Sequence, residues 1–465
     1  MEEGTKARTA GEAGWHLSRY NLSAKIDGTE KVAIANLFRG TCGAYSLAEL
    51  YLLDVLETLP EEHPILERFA KRGLIVNFDE LEALKAMRGA ACATGKVVSL
   101  TICPTMGCNF DCPYCFENHK RGSMTPEVQK DVVSLAGRML DAFGAKELCV
   151  TWFGGEPLLA VEVIEKLSKK LIALVEEKDA GYSADIITNG YLLTQNAVDI
   201  LEKCRVQTAQ VTLDGLGDAH DATRHLAGGG PTFDRITQNL RTLKLPFRVN
   251  IRHNVHEGNT DQIEPLRDFV KKLAKESGND ITYYASPVSE NDTAEKRGSK
   301  VRLLCGSLDS EIGVCRDAQH FQMGRAHYCG ASVLTCIGID EQGRLHKCWE
   351  DMDKPEHSFG SASRWNPQNP IVTADNPDQL TVWLNTALPT DDAECMSCKW
   401  LPACSGGCPT RRIYWRERPC LPYRDTPERY VLALYKHMKQ EKRIPDNEQI
   451  EKNGTYIENN CHLTK

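Results

Sequence analysis

Between residues 97 and 288, short runs of apolar and often β-branched residues alternate with longer amphipathic stretches. Short apolar runs are typical of buried strands, and an apolar stripe at helical spacing is typical of a helix that packs on a sheet. The six predicted strands are Val97–Cys103, Glu147–Phe153, Ala184–Thr188, Ala209–Leu213, Arg248–Val255 and Asp280–Ser286. The predicted helices are Thr125–Phe143, Val161–Glu177, Gln195–Cys204, Thr232–Leu243 and Thr260–Glu276.

This order of elements predicts an α/β fold built from βα units around a mostly parallel sheet. Six units are too few for a closed eight-stranded barrel, so we expect a partial (β/α)6 TIM barrel. Ligands of such sheets bind at the carboxyl ends of the strands. Residues just after each predicted strand are therefore the first candidates for a functional site.

The segments that flank this region are predicted to be smaller units. In the N-terminal 95 residues, strand-like pieces at Val32–Leu37 and Leu74–Phe78 flank an amphipathic helix at Leu47–Thr58, which predicts a small α+β module. Near the other end, Pro427–Lys442 has a helical pattern and is followed by a polar tail. Neither segment carries a recognisable metal motif.

Composition narrows the possible functions. The 465 residues are 41% hydrophobic and 26% charged, as in ordinary globular proteins, and the net charge of -8 argues against a nucleic-acid partner. No stretch approaches the length of a membrane span, and the polar N-terminus lacks a signal-peptide core, so we expect a cytoplasmic protein with no membrane partner. In that reducing compartment, 19 cysteines indicate metal ligands rather than disulfides.

Three of these cysteines are crowded directly after the first predicted strand, where Cys108, Cys112 and Cys115 have the spacing C-x3-C-x2-C. Thiolates are the usual ligands of iron–sulfur clusters, and three of them leave one iron of a four-iron cluster open for chemistry. A zinc knuckle and buried free cysteines are the alternatives for this run.

The run, with Tyr114 inside it, resembles the radical S-adenosylmethionine (SAM) enzymes. The resemblance implies that the open iron binds SAM and that an electron from the cluster cleaves SAM to a 5′-deoxyadenosyl radical. It places the Gly-Gly-Glu-Pro segment at the amino group of SAM, Thr212 and Arg224 by its ribose and carboxylate, and Tyr114 against its adenine. The full set of implied SAM-binding residues is Tyr114, Gly154, Gly155, Glu156, Thr188, Asn189, Thr212, Arg224 and Asn254.

A second set of cysteines lies downstream and resembles the SPASM domain, which carries two auxiliary [4Fe-4S] clusters in many peptide-modifying radical SAM enzymes. By this resemblance, one cluster is held by Cys329, Cys336, Cys348 and Cys408, and the other by Cys395, Cys398, Cys404 and Cys420. The implied cofactors are three [4Fe-4S] clusters and SAM. The gap from Cys329 to Cys336 is one residue longer than expected, so one auxiliary iron could be open. A zinc ribbon over Cys395–Cys408 is the alternative.

Two enzyme activities share these motifs. The first is a maturase that forms thioether crosslinks of the sactionine or ranthipeptide type in a ribosomally made, cysteine-rich precursor peptide. The second is an anaerobic sulfatase maturase that forms formylglycine, but Trp349 stands where that group has an aspartate base, with Glu350 and Asp351 as weaker candidates for a base. A non-catalytic iron–sulfur redox protein is a third, remote alternative. An electron donor such as ferredoxin or flavodoxin is an implied partner.

The resemblance also suggests a division of the chain. Residues 1–95 form an N-terminal module that recognises a leader peptide or merely caps the barrel, and residues 96–300 form the radical SAM core. Residues 301–328 form a bridging segment, residues 329–425 form the SPASM domain, and residues 426–465 form a C-terminal helix and tail.

Overall fold

The computed structural model describes residues 8–119, 122–288, 329–421 and 424–440. The predicted bridging segment and the end of the predicted C-terminal helix with its tail lie outside the described residues.

The N-terminal region contains two small antiparallel sheets and three helices. Its elements in chain order are β1 (His16–Leu17), β2 (Asn21–Lys25), β3 (Val32–Asn36), β4 (Thr41–Tyr45), α1 (Leu47–Asp54), α2 (Pro64–Lys71), β5 (Ile75–Val76) and α3 (Glu80–Ala93). Strands β2, β3 and β4 form one meander, whereas β1 pairs with β5. The helix predicted over Leu47–Thr58 is α1 followed by a short 3-10 turn.

The central region alternates strands and helices as the hydrophobic pattern predicts. Its elements are β6 (Val97–Ile102), α4 (Pro126–Phe143), β7 (Glu147–Trp152), α5 (Val161–Glu177), β8 (Gly181–Thr188), α6 (Gln195–Lys203), β9 (Val206–Thr212), α7 (Asp218–Asp221), α8 (Phe233–Thr242), β10 (Arg248–Val255), α9 (Ile263–Ser277) and β11 (Ile281–Pro287). All six strands are parallel and lie side by side in sequence order. This is a partial (β/α)6 barrel, and its strand ends form one edge.

Local chemistry accounts for the borders of these elements. Helix α4 begins where the Thr125 side chain accepts a hydrogen bond from the backbone N–H of Val128, and Pro126 occupies the first helical position. The helix ends at Gly144, whose φ of 57° suits glycine. Strands β8 and β9 begin earlier than predicted, because their first residues pair with neighbouring strands although they lack a continuous apolar run.

The sheet does not stop at the barrel. The later strands are β12 (Cys336–Ile339), β13 (Arg344–His346) and β14 (Gly360–Ser361). Strand β12 pairs parallel with β6, so that Cys336 lies opposite Ser99, and β13 and β14 continue the sheet in antiparallel fashion. Buried side chains such as Ile337 and Ile339 belong to the same hydrophobic core as the barrel. These short strands are absent from the sequence predictions.

The last part of the chain is mainly helical. Its helices are α10 (Pro377–Leu384), α11 (Ala393–Ser397), α12 (Leu401–Cys404), α13 (Pro409–Tyr414) and α14 (Pro427–Gln440). Trp400 and Tyr430 pack edge to face with ring centroids 4.9 Å apart, and both share a hydrophobic cluster with Tyr20 and Leu22 of the N-terminal region. The N-terminal region and α14 therefore stabilise one another. Among the described residues, no helix is both long and apolar enough to span a bilayer.

Candidate metal and cofactor sites

The loop after β6 brings the first three candidate ligands to the edge formed by the strand ends. Cys108 and Cys112 are half-buried and Cys115 is exposed. The backbone N–H of Phe110 donates to the Sγ of Cys108 at 3.4 Å, and the N–H of Cys115 donates to the carbonyl of Cys112 at 3.0 Å. Burial, with a smaller contribution from the neighbouring thiols, raises the pKa of Cys108 to about 12. A bound cation is therefore needed to favour three thiolates here.

Two glycines after β7 let the chain pass directly against this loop. Gly154 has a φ of 112°, and a Cβ at this position would lie 2.3 Å from the carbonyl oxygen of Thr105. A Cβ on Gly155 would lie 2.4 Å from the carbonyl oxygen of Gly107. Any larger residue would displace the backbone that leads into the cysteine loop. In this structure, the close approach that the glycines permit is to the protein's own backbone.

Glu156 connects the ends of β7 and β8. Its side chain is fully buried, and its carboxylate accepts hydrogen bonds from Leu158 N at 2.9 Å, Thr188 Oγ1 at 2.8 Å and Asn189 N at 2.7 Å. Burial raises the pKa of Glu156, and these three donors oppose that rise. Three donors around one carboxyl group favour its ionised form. The predicted contact with the amino group of SAM would thus add to an internal network.

Asn189 extends this network to the cysteine loop. Its Nδ2 donates to Asn109 Oδ1 at 2.8 Å, and its Oδ1 accepts from Tyr191 N at 3.0 Å. Asn109 lies between the first two cysteines of the run, where its position alone could have marked it as a candidate. Its own Nδ2 is buried without a hydrogen-bond partner.

Tyr114 joins the cysteine loop to the ends of β9 and β10. Its hydroxyl donates to the carboxylate of Asp214 and accepts from Arg224 Nη1 at 2.9 Å. Asn254 Nδ2 lies 3.4 Å from the same oxygen, and Arg252 Nε donates to Asn254 Oδ1 at 2.8 Å. Burial is the main cause of the raised pKa of Tyr114. The hydroxyl therefore remains a neutral donor at physiological pH.

Arg224 is the cation of this site. Its guanidinium lies over the ring of Phe110, 5.7 Å from the centroid, and its Nε is buried without a hydrogen-bond partner. Burial lowers its pKa, but Tyr114, Cys112 and Asp214 outweigh this and raise it overall. Thr212 is also buried, at the end of β9.

The three thiols fit an iron–sulfur cluster. The unpaired donors of Arg224 and Asn109 fit a cluster-bound ligand that carries a carboxylate. The residues that would hold the cluster are Cys108, Cys112 and Cys115, with the SAM-binding set around them. Asp214 was missed as a candidate, although it directly follows the predicted strand that includes Thr212.

The first set of downstream cysteines comes together beside β12. The thiols of Cys336 and Cys408 lie close enough to that of Cys329 to raise its pKa. A Cβ on Gly330, the residue after Cys329, would lie 3.3 Å from the Sγ of Cys336. Cys348 accepts a hydrogen bond from the Oγ1 of Thr410, two residues after Cys408, at 3.3 Å. The structure thus places Cys336 with its expected group despite the longer spacing.

The second set lines a single pocket. Cys395, Cys398, Cys404 and Cys420 all face it, together with apolar side chains such as Trp400. Arginines stand beside two of these thiols. Arg412 Nη1 lies 3.7 Å from the Sγ of Cys395, and Arg424 Nη1 lies 3.1 Å from the Sγ of Cys420. Donors to sulfur stabilise thiolates.

The arrangement of these thiols bears on the zinc alternative. Within the described ranges, no three His, Cys, Asp or Glu side chains are grouped so that they could hold one metal ion. A single zinc ion needs sulfurs about 2.3 Å from one point, whereas a cluster of several irons spreads its thiolates more widely. An auxiliary cluster and a zinc ribbon over Cys395–Cys408 therefore both stay predictions.

The two candidates for a base, Glu350 and Asp351, differ in their burial and in their hydrogen bonds. Asp351 is 1% exposed, and its carboxylate accepts from Tyr414 Oη at 3.0 Å and lies 3.0 Å from His357 Nδ1. Glu350 is half-buried, and burial raises its pKa, with a further rise from Asp351. Arg252 at the barrel edge is among the cations that oppose this rise. Glu350 is therefore close enough to Arg252 to feel its charge, whereas the carboxylate of Asp351 is held by Tyr414 and His357.

Three further carboxylates meet beside the cysteine loop, and no motif or spacing along the chain points to them. Glu117, Glu341 and Asp353 are each at least nine-tenths buried, and each has one oxygen without a hydrogen-bond partner. Burial, together with the charges of Asp353 and Glu341, raises the pKa of Glu117 to about 8. Asp353 also accepts from the Nδ2 of Asn118 at 2.7 Å, which links the cysteine loop to the segment after Cys348.

A partial barrel that presents three cysteines after its first strand and a buried polar network at the next strand ends defines a class of enzymes that bind SAM at an iron–sulfur cluster. The family model of the radical SAM superfamily matches residues 102–270. The serine-type anaerobic sulfatase-maturating enzyme of Bacteroides thetaiotaomicron is 30% identical over 352 residues, which cover 66% of this chain and 81% of that protein. The chain belongs to the radical SAM superfamily, which implies a [4Fe-4S] cluster and SAM as cofactors.

Two other similarities differ in their extent. The AdoMet-dependent heme synthase of Methanosarcina barkeri is 30% identical over 178 residues, so the alignment spans 36% of this chain and only 46% of that relative. The solved structure of native anSMEcpe with bound AdoMet and Cp18Cys peptide matches with a TM-score of 0.54 and 20% identity, and the match covers 74% of this chain and 97% of that chain. At 20% identity, this similarity shows a common fold alone.

Proposed function

We propose that the protein is a radical SAM peptide maturase with two auxiliary [4Fe-4S] clusters, and that it forms thioether crosslinks in a cysteine-rich precursor peptide. The observation that carries the crosslinking activity is the position after Cys348. There the side chain is the exposed ring of Trp349, stacked on Phe153 with centroids 5.7 Å apart. An aromatic side chain cannot take a proton from a substrate, so this position lacks the base that formylglycine formation uses.

When bound, the SAM-binding cluster and SAM supply the radical that abstracts hydrogen from the peptide. The protein's own residues bind and orient these groups. Cys108, Cys112 and Cys115 hold the cluster, and Arg224 offers its unpaired Nε to the carboxylate of SAM. Tyr114 fixes the loop against the strand ends through its hydroxyl.

Exposed rings at the barrel edge suit an extended peptide. Phe116, which follows the cysteine run, is 49% exposed and stacks on Phe153 with centroids 6.4 Å apart. Trp349 on the other side of Phe153 is 45% exposed. The two exposed rings, which flank the buried ring of Phe153, offer a peptide an aromatic surface beside the cysteine loop. A ferredoxin or flavodoxin as electron donor, and leader recognition by residues 1–95, belong to the same proposal.

A sulfatase maturase is the second candidate, because the relative from Bacteroides thetaiotaomicron carries that name. In that case, Glu350 would have to act as the base, since the carboxylate of Asp351 already contacts Tyr414 and His357. A Glu350→Gln variant distinguishes the two candidates, because only formylglycine formation would need this carboxylate.

The experiment is anaerobic co-expression of the protein with cysteine-rich peptides encoded beside its gene, followed by mass spectrometry. Thioether formation removes two hydrogens per link and leaves the joined thiols resistant to alkylation. A Cys115→Ala variant is the matched control, because it lacks one ligand of the SAM-binding cluster. An unchanged peptide with wild-type protein, together with oxidation of a sulfatase-derived peptide, would favour the second candidate.

A further inference from the structure

Lys347 is a buried cation between the core sheet and the first auxiliary group of cysteines. It follows β13 and precedes the candidate ligand Cys348, and it is only 6% exposed. Its Nζ donates to two backbone carbonyls, those of Val333 and Cys336, each at 2.5 Å. The long side chain therefore ends at the start of β12, next to a candidate ligand.

The charges around Lys347 are unusual for a buried lysine. The ionisable groups that interact with its ammonium are the thiols of Cys336, Cys329 and Cys92. In the part of the chain that the structure describes, no carboxylate forms an ion pair with Lys347. The two backbone carbonyls satisfy two of its three N–H donors but supply no negative charge.

The arginines of the second auxiliary group provide a contrast. Arg412 and Arg418 both pair with Asp392, and Arg424 pairs with Glu394. Their charges are compensated by carboxylates whether or not a cluster is present. At the first group, the groups that could compensate the ammonium are thiols, as far as the described residues go.

A buried ammonium without a counter-charge costs several kcal/mol. Neutral thiols do not reduce this cost, whereas an iron–sulfur cluster with four thiolate ligands carries a net negative charge at the same place. The ammonium and such a cluster would therefore stabilise each other. Because reduction adds one more negative charge to the cluster, a fixed cation beside it stabilises the reduced form more than the oxidised form.

We propose that Lys347 is the counter-charge of the auxiliary cluster held by Cys329, Cys336, Cys348 and Cys408, and that it raises the reduction potential of that cluster. The residue acts through the cluster and is a positioning residue, since its hydrogen bond also fixes the backbone of Cys336. This inference rests on the proposed function, because it assumes that the auxiliary clusters exist. The electron that reduces the cluster comes from an external one-electron donor, which is dithionite in the test, and no bond is made or broken.

The test compares Lys347→Met, which keeps much of the side chain's length without its charge, with Lys347→Arg, which keeps the charge. Lys399→Met is the control, because Lys399 is exposed and lies beside the second cysteine group. Each protein is reconstituted anaerobically, its iron is measured, and its clusters are titrated with dithionite while their EPR signals are recorded. Adding SAM identifies the signal of the SAM-binding cluster.

The expected result is a negative shift in the midpoint potential of one auxiliary cluster in Lys347→Met, with the other two clusters unchanged. Lys347→Arg and Lys399→Met should both match the wild type. Unchanged potentials in a fully loaded Lys347→Met protein would overturn the inference. If Lys347→Met loses the iron of that cluster, retention of the iron by Lys347→Arg supports a role for the charge, and equal loss in both overturns it.

Failure of the proposed function gives a different result. A wild-type protein that binds iron for the SAM-binding cluster alone would disprove the auxiliary clusters before any variant is compared. A wild-type protein with all three clusters and an unmoved potential in Lys347→Met would disprove only the role of Lys347.

Discussion

Replacing Glu156 by glutamine should lower the free energy of unfolding of the protein even without SAM. The carboxylate accepts from the N–H groups of Leu158 and Asn189 and from the hydroxyl of Thr188. Glutamine keeps one acceptor oxygen, which can still serve Leu158 and Thr188. Its amide nitrogen would then face the N–H of Asn189, so that two donors meet in a site where the side chain is fully buried. Losing one hydrogen bond to a charged group and leaving a buried donor unpaired should cost about 2–4 kcal/mol.

The assay is urea unfolding of the anaerobically reconstituted protein, followed by far-UV circular dichroism. Glu165→Gln is the matched control, because Glu165 is exposed on α5 and should change the free energy of unfolding by no more than about 0.5 kcal/mol. The reasoning is refuted if the Glu156→Gln protein is as stable as this control. In that case, the contacts of Glu156 would matter only when SAM is bound, and the variant would lose SAM affinity alone.

Three further predictions concern the same sheet edge and its extension. Tyr114→Phe removes the hydroxyl that holds Asp214, and it should weaken SAM binding about tenfold in isothermal titration calorimetry; unchanged affinity would contradict this role. Cys112→Ala should abolish cleavage of SAM, measured as 5′-deoxyadenosine by chromatography, and full turnover would refute the cluster assignment. Burial alone would raise the pKa of Asp340, but hydrogen bonds from His346 and Arg344 lower it overall. The stability that this carboxylate contributes is therefore present above its unfolded pKa. It is lost as the pH falls through its folded pKa. Unfolding measured as a function of pH should therefore show a loss of stability below about pH 4 that Asp340→Asn lacks, and parallel curves would refute it.

Much of the barrel could be predicted because its signals are local. The strand Arg248–Val255 has the predicted bounds, since apolar residues alternate along it and turn residues flank it. Helix α4 begins as predicted because Thr125 and Pro126 are a capping residue and a first-turn proline. Periodicity and capping depend only on neighbouring residues, so they can be recognised without knowledge of tertiary contacts.

The extension of the sheet could not be predicted in this way. Strands β12, β13 and β14 have four, three and two residues, too few to show a period. They form because β6 offers an open edge with which Cys336–Ile339 can pair, and that edge belongs to a strand more than 200 residues earlier in the chain. Short strands of this kind depend on pairing across the fold rather than on their own sequence.

The candidate site was predictable to different degrees for a similar reason. Cysteines at fixed spacings can be recognised as candidate ligands from the sequence alone. The structure brings the members of each expected group near one another. Asp353 and Glu341 have no such spacing relative to Glu117, and they approach it only because β12 and β13 lie beside the cysteine loop. Lys347 likewise looks like an ordinary polar residue until the fold buries it among thiols.

The extension of the sheet also fixes where the first auxiliary group lies relative to the SAM-binding loop. Cys336 opens β12 opposite Ser99 on β6, and the loop that follows β6 carries Cys108. Ladder hydrogen bonds thus join a candidate ligand of the first downstream group to the strand that precedes the loop of Cys108. Asp353 adds a second tie, because it accepts from the backbone and side chain of Asn118. A hinge between the barrel and this cysteine group would have to break both connections. We therefore expect the first group of downstream cysteines to move with the barrel as one body.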